Sequence, residues 1–137
     1  MKNLANCKPS EFLKQTNRIR KSVERWLKLT DVMSIRKRMP EGMPEVNAGM
    51  SQDEVEAVQK KRQTMMADQS QRNLSAIFDA VLDAHPDETL EVLGLCCFVE
   101  PDHVDDHTVS EYLESLNELI QDENVRGFFT FLMSLVQ

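Results

Sequence analysis

The sequence predicts an all-α fold, a single domain of about five helices with a basic N-terminal helical arm. Apolar residues recur at intervals of three, four and seven, which is the spacing of an amphipathic helix. Two Ser/Thr-x-x-Glu segments, at 51–54 and 108–111, are capping boxes that mark helix starts. No segment alternates polar and apolar residues as a half-buried strand does. The length of 137 residues suits one domain.

The first predicted helix begins at Pro9 and ends near Leu29. Its lysines and arginines lie mostly off a narrow apolar stripe. That stripe consists of Phe12, Ile19, Val23, Trp26 and Leu27. Asp31, with Thr30, is a candidate cap for a shorter helix, "VMSIRKR", which Pro40 would end because proline disrupts helical hydrogen bonding.

Residues 1–40 are therefore predicted to form the arm, and residues 41–50 a loop or hinge, because "PEGMPEVNAGM" holds two prolines and two glycines. Residues 51–137 are predicted to form a helical body. In it, one helix runs from Ser51 to about Ala84 with a polar middle, and the next starts at Pro86.

The rest of the body is predicted from three segments. The core of the Pro86 helix, "LGLCCF", is expected to be fully buried. "SEYLESLNELI" follows the second capping box, and a turn at "QDEN" precedes the last helix, "VRGFFTFLMSLVQ". One side of that helix is predicted to carry Val125, Phe128, Phe129, Leu132, Leu135 and Val136, with Phe131 off it.

Charge divides the chain sharply. Residues 1–40 hold 11 basic and 3 acidic residues, a balance of +8, whereas residues 41–137 hold 5 basic and 20 acidic residues, a balance of −15. We expect the arm to meet something negative: nucleic acid, an acidic partner, or the acidic surface of the same or a neighbouring copy.

The chain carries few signs of membrane, secretory or catalytic roles. Its first ten residues lack the apolar core of a signal peptide, and no apolar run approaches the ~18 residues of a membrane span, so we expect a cytosolic protein without a membrane partner. The three cysteines suit reduced thiols, with Cys96 and Cys97 packed as neutral thiols. No common catalytic motif is present, so we expect no enzyme and no cofactor.

His103 and His107 are the one metal-like pair, because residues four apart share a helix face. Pro101 and the acidic run around them favour a solvated loop instead, so we expect no metal. Nucleic-acid binding through the arm, as in a small helical regulator, stays the alternative function. It is disfavoured because Trp26 lies on the apolar stripe and because the acidic body would repel phosphates. A protein partner, self-association, or closure of the arm over its own body remain open.

Three stretches carry a resemblance to a known family: the opening "NLANCKPSEFLKQTNRIRKSVERWL" followed by "IRKRMP", the central "LEVLGLCCFVEPDHVDDH", and the ending "NELIQDENVRGFFTFLMSLVQ". Together they cover about half of the chain. In them the chain resembles the tail assembly chaperones of long-tailed bacteriophages and of prophages of Gram-positive bacteria. None of the three stretches is a catalytic signature.

The resemblance implies a small helical, non-enzymatic protein that coats the tape measure protein, self-associates into a homo-oligomer, and helps recruit tail tube subunits. It would act in the cytoplasm of the bacterial host and be absent from the mature virion. The residues predicted to bind partners form two surfaces. The first consists of Arg18, Ile19, Val23, Arg25 and Trp26 with the cluster Arg36, Lys37 and Arg38; the second consists of Phe128, Phe129 and Phe131.

Overall fold

A computed structural model describes residues 1–135, which contain no β-strand and so confirm the all-α prediction. Six α-helices follow in order: α1 Pro9–Thr30, α2 Val32–Arg36, α3 Gln52–Phe78, α4 Pro86–Cys96, α5 Val109–Gln121 and α6 Glu123–Ser134. A π-helical segment, Asp79–Ala84, extends α3, and a 3₁₀ helix, Pro101–Asp106, precedes α5. The described residues thus contain six α-helices, whereas about five were expected, and two further short helical segments.

Helix starts lie where the capping signals predicted them. The Ser51 Oγ accepts a hydrogen bond from the Glu54 amide at 3.2 Å, and Thr108 and Glu111 bond each other reciprocally. The prediction for α2 needs correction. Asp31 occupies its N-cap position with a φ of 56°, yet its side chain makes no capping hydrogen bond within the described chain. The helix ends at Arg36, well before the proline expected to stop it.

The described chain forms two compact units. The first unit is Met1–Trp26 with the described residues from Pro86 onward, and the second unit is Leu27–His85. The predicted arm, residues 1–40, thus divides between the two. This boundary differs from the three-part division drawn from charge, because a composition shift does not reveal which residues pack together.

The core of the first unit is small and lies where the chain leaves α4 and meets α5. Its buried members are Cys97, Val99 and Tyr112, against which Leu93, Cys96 and Val104 pack. The Tyr112 hydroxyl donates to the Val104 carbonyl at 2.7 Å, which satisfies its polar end inside an apolar cluster.

The "LGLCCF" segment is only partly buried, contrary to the expectation. Its buried members are Gly94, Leu95 and Cys97, and its other residues are half-buried. At Phe98 the backbone turns away with a φ of 57°, and the Lys2 ammonium lies 4.8 Å from the centre of the Phe98 ring. The end of the segment therefore lies at the unit surface rather than inside it.

In the second unit, polar side chains of α3 hold the loop that precedes it. Arg62 Nη1 donates to the Pro44 carbonyl at 2.8 Å, and Asn73 Nδ2 donates to the Arg38 carbonyl at 3.1 Å. Gln69 in turn donates to the Asn73 side chain at 2.7 Å. These bonds give three of the polar side chains of this helix a structural role, because two of them satisfy loop carbonyls and the third supports one of those two.

Two glycines provide a matched test of packing in the first unit. A Cβ at Gly94 would lie 3.0 Å from both Val104 Cγ1 and the Val99 carbonyl oxygen, whereas a Cβ at Gly127 meets no described atom within 4 Å. We expect Gly94→Ala to lower the free energy of unfolding by about 1–2 kcal/mol through overpacking. Gly127→Ala should raise it by up to about 1 kcal/mol through helix propensity. Urea denaturation measures both, and equal effects would contradict the close approach.

Candidate partner-binding surfaces

The apolar stripe of α1 is half-buried within the first unit. Ile19, Val23 and Trp26 are all partly covered, and the Trp26 indole N–H donates to the Thr89 hydroxyl at 2.9 Å. A side chain with both its ring and its polar atom engaged inside the fold has less surface to offer a partner. This part of the predicted surface therefore contributes to the packing of the unit.

Two of the predicted arginines are engaged in the same way. Arg18 makes a bidentate contact with Glu100, with both N–O distances 2.8 Å, and Arg25 pairs with Glu91. The hydrogen bonds from Arg18 lower the pKa of the Glu100 carboxyl, and the same contact raises the pKa of Arg18. Within the first unit, the basic arm thus closes over acidic residues of its own chain, one of the outcomes that the sequence left open.

The remaining predicted cations lie in the second unit. Arg36, Lys37 and Arg38 are exposed, and their side chains have no hydrogen bond or ion pair within residues 1–135. The structure thus separates them from the α1 residues with which the sequence grouped them. Because none of the three side chains forms an ion pair within residues 1–135, they are available to an acidic partner.

The three predicted phenylalanines belong to α6 and differ in exposure. Phe128 is half-buried, and its ring packs edge-on against the Phe12 ring with the centroids 4.9 Å apart. Phe129 is 39 % exposed and Phe131 is 59 % exposed. Of the predicted residues, these two phenylalanines offer the most apolar surface to solvent.

An apolar groove of about 340 Å³ lies beside them in the first unit. We call it the N-terminal groove. The residues that line it are Leu4, Ala5, Cys7, Pro9, Phe12, Leu13, Asp122, Asn124, Val125 and Phe128. The sequence did not predict most of these residues. Leu13 could have been noticed, because it is a large apolar residue off the stripe of a basic helix. In the structure it is 60 % exposed.

The far half of α6 carries an uncharged, exposed surface, which we call the α6 apolar surface. From Gly127 to the last described residue the chain has no charged side chain. Its large exposed members are Phe129, Phe131, Leu132, Met133 and Leu135. Val136, predicted on the same face, lies outside the described residues. Exposed apolar side chains concentrated at one helix end are typical of a binding surface, because monomeric proteins rarely expose much apolar area in one place.

The histidine segment is a set of surface contacts. His103 Nδ1 lies 2.9 Å from Asp106 Oδ2, and this hydrogen bond, with nearby carboxylates, raises the pKa of His103. His107 Nδ1 lies 2.8 Å from Glu111 Oε2. Among residues 1–135, no three metal-binding side chains cluster closely enough to hold an ion, and no helix is both long and apolar enough to cross a membrane.

Burial weakens the reactivity of the adjacent cysteines. It raises the pKa of the Cys96 thiol to about 11, with a smaller contribution from Cys97 beside it. The Cys97 pKa is raised by burial as well, and that residue is 2 % exposed. Both are neutral thiols at pH 7, as the sequence predicted. The thiolate is the nucleophilic form, so neither side chain is poised to attack a substrate.

Comparisons with known proteins add no information on these candidate surfaces. No family model matches the chain, and no curated protein or solved structure is significantly similar to it.

The Glu100 contact should make stability depend on pH. Its folded pKa lies below the ordinary glutamate value of 4.5, so the stabilisation is present above pH 4.5 and is lost as the pH falls through the folded pKa. Because both partners are largely exposed, we expect Glu100→Gln to cost under about 1 kcal/mol at pH 7. Chemical denaturation of the unsubstituted chain and of Glu100→Gln at pH 7 and pH 3 measures the difference between their free energies of unfolding, which should be smaller at pH 3. A difference that is the same at both pH values would exclude an ionic origin for the stabilisation.

Thiol labelling should distinguish the cysteines. At pH 8, a pKa of about 11 instead of 9.0 leaves Cys96 roughly 100-fold less thiolate than an ordinary cysteine has. We expect iodoacetamide to modify Cys7 first in the native protein, followed by mass spectrometry of digested samples. Cys7→Ser should leave little early labelling, and the chain unfolded in urea should label at all three sites. Equal native rates for Cys7 and Cys96 would contradict the burial argument.

Proposed function

We propose that this chain is a non-enzymatic tail assembly chaperone of a long-tailed bacteriophage or prophage. It binds the tape measure protein in the host cytoplasm, keeps it soluble, and helps to recruit tail tube subunits. The three resembling stretches support this proposal. So do the apolar side chains of α6 that the fold leaves exposed.

The α6 apolar surface is the observation that carries the proposal. A tape measure protein rich in long amphipathic helices exposes apolar stripes until the tube encloses it, and exposed stripes of that kind aggregate. A helix can cover such a stripe by laying its own apolar side chains along it. The far half of α6 offers uncharged side chains with no competing ion pairs, and the N-terminal groove adds a recess at its base.

Contacts inside the first unit favour a tape measure contact away from α1. Arg18, Arg25 and Trp26 already have partners inside the first unit, so using them for the tape measure would require breaking those contacts. Phe131 and Leu135 require no such rearrangement, because they are 59 % and 65 % exposed. We accordingly place the tape measure contact on the α6 apolar surface and the N-terminal groove.

Self-association remains part of the proposal, since several copies would be needed along a long helical client. An uncharged apolar surface is compatible with self-association, because a two-fold interface brings the same surface of two identical copies together. No like-charge repulsion arises from residues 127–135 in such a contact.

The test is binding to the tape measure protein of the same phage, co-expressed with this chain. We expect the full chain to increase the soluble fraction of the tape measure protein and to retain it during affinity purification. Phe131→Glu should weaken retention about thirtyfold, since a central aromatic anchor contributes roughly 2 kcal/mol. Leu113→Glu is the matched control: Leu113 on α5 is 58 % exposed, nearly equal to Phe131, and lies outside both surfaces.

Two results would count against the proposal. If the tape measure protein is equally soluble with and without the chain, the chaperone function is wrong. If the two glutamate variants reduce retention equally, the contact does not use α6. Sedimentation of each variant alone checks that it remains folded and reports the oligomeric state.

A further inference from the structure

A second open recess lies in the second unit, and it differs in chemistry from the N-terminal groove. It has a volume of about 690 Å³ and is bounded by the loop before α3 and by α3 itself. We call it the methionine groove. Its lining is Met39, Met43, Gln59, Arg62, Gln63 and Met66. Three of the six lining residues are methionines, so thioethers supply most of its apolar surface.

Methionine gives this groove an adaptable lining. The side chain is unbranched and polarizable, so it can follow apolar ridges of differing shape. Met39 and Met66 are 61 % and 37 % exposed, and each reaches solvent at the groove. Proteins that bind many helical targets use methionine-rich surfaces for this reason.

Cations border the groove on one side. A neighbouring recess of about 500 Å³ shares Met39 and is lined in part by Arg38 and Arg72. Two carboxylates, Glu41 and Asp68, also line it, so its charge is balanced until the cations beside it are included. Arg36 and Lys37 precede Arg38 in the chain, and all three are unpaired within residues 1–135. Counted with the linings of both recesses, Arg36, Lys37, Arg38, Arg62 and Arg72 outnumber Glu41 and Asp68, so this part of the second unit is positive in net charge.

Arg62 is held in place inside the groove. Its bond to the Pro44 carbonyl uses one guanidinium nitrogen, which leaves further N–H donors of the fork free to meet a carboxylate. Arg72 contacts the neutral side chain of Gln69 at 3.3 Å and keeps its charge unopposed by that contact. Planar guanidinium groups recognise carboxylates in a bidentate way, so these positions favour an acidic ligand.

We propose that the methionine groove binds an amphipathic helix of a partner protein whose apolar ridge is flanked by carboxylates. The ridge lies on the methionines, and the carboxylates meet Arg62 and the Arg36–Lys37–Arg38 cluster. This inference rests on the proposed function, since it assigns to the chaperone a second contact selective for acidic helical segments. The groove and the α6 apolar surface thereby discriminate between clients by charge.

Two other occupants fit the observations less well. The phosphates of a nucleic acid would contact the cations. However, bases stack on aromatic rings, and thioethers and amides line this groove instead. The exposed apolar stripe of α5 in a second copy consists of Val109, Leu113 and Ile120. Its unpaired acids, Glu114 and Glu118, lie more than about 100° around the helix from that stripe, so they would point away from the border cations.

The test uses two designed helical peptides of about three heptads that share one leucine ridge. Glutamates flank the ridge in one peptide and lysines in the other. Fluorescence anisotropy with the full chain at about 0.1 M salt should show the glutamate peptide binding at least about tenfold more tightly. Met39→Ser with Met43→Ser should weaken that binding, because it removes the apolar lining.

Charge reversal provides the matched comparison. Lys37→Glu with Arg38→Glu should weaken binding of the glutamate peptide at least about tenfold. Lys60→Glu with Lys61→Glu changes the net charge equally, on exposed residues of α3 outside the groove lining, and should leave binding nearly unchanged. Circular dichroism melting should show all variants folded, since the four charged side chains are exposed.

Several outcomes would overturn the inference. Equal affinity for the two peptides, or equal effects of the two charge reversals, would mean that the border does not select for acid. Binding of a duplex DNA oligonucleotide that depends on Lys37 and Arg38, without peptide binding, would favour nucleic acid. A dimer lost only with that double reversal would favour a second copy. If the peptide test fails while Phe131 still governs tape measure retention, the proposed function stands and this inference alone falls.

Discussion

The burial of Asn3 against α5 is the constraint on which the first unit depends. Its side chain is completely buried and donates to the Ser115 hydroxyl at 2.9 Å, across 112 positions of sequence. A buried amide without partners costs free energy, so this contact fixes the N-terminal segment against the C-terminal helices. Gln15, also buried, then donates to the Leu95 carbonyl at 2.7 Å. The first contact holds the segment before α1 against α5, and the second places α1 beside α4.

That placement determines which cations are used inside the fold. Once α1 lies along α4, Arg18 and Arg25 reach Glu100 and Glu91. The Arg36–Lys37–Arg38 cluster belongs to the other unit, and its side chains form no ion pair within residues 1–135. The strongly basic N-terminal third therefore has two roles. Its first part forms ion pairs within the first unit, and its last part is the segment for which we propose an acidic ligand.

Apolar surface follows a similar division. The α1 stripe is half-buried, whereas the phenylalanines of α6 extend progressively into solvent from Phe128 to Phe131. Sequence periodicity identified both stripes, but it favoured α1, because phenylalanines at helical spacing usually belong to a core. The N-terminal groove was largely unpredictable, because Leu4 and Leu13 meet α6 residues only after the chain has folded back.

The sequence by itself determined the all-α class and the capped starts of α3 and α5, because those signals act between residues three or four apart. The phenylalanines of α6 could be predicted as candidate binding residues for the same reason. The tertiary structure decided which charges are paired and which apolar faces stay open. Arg18 and Glu100 are 82 positions apart, and a pair at that distance forms only if the intervening helices bring its members together. Such a pairing cannot be predicted from local sequence patterns. The basic arm of the sequence is therefore divided between two units in the fold.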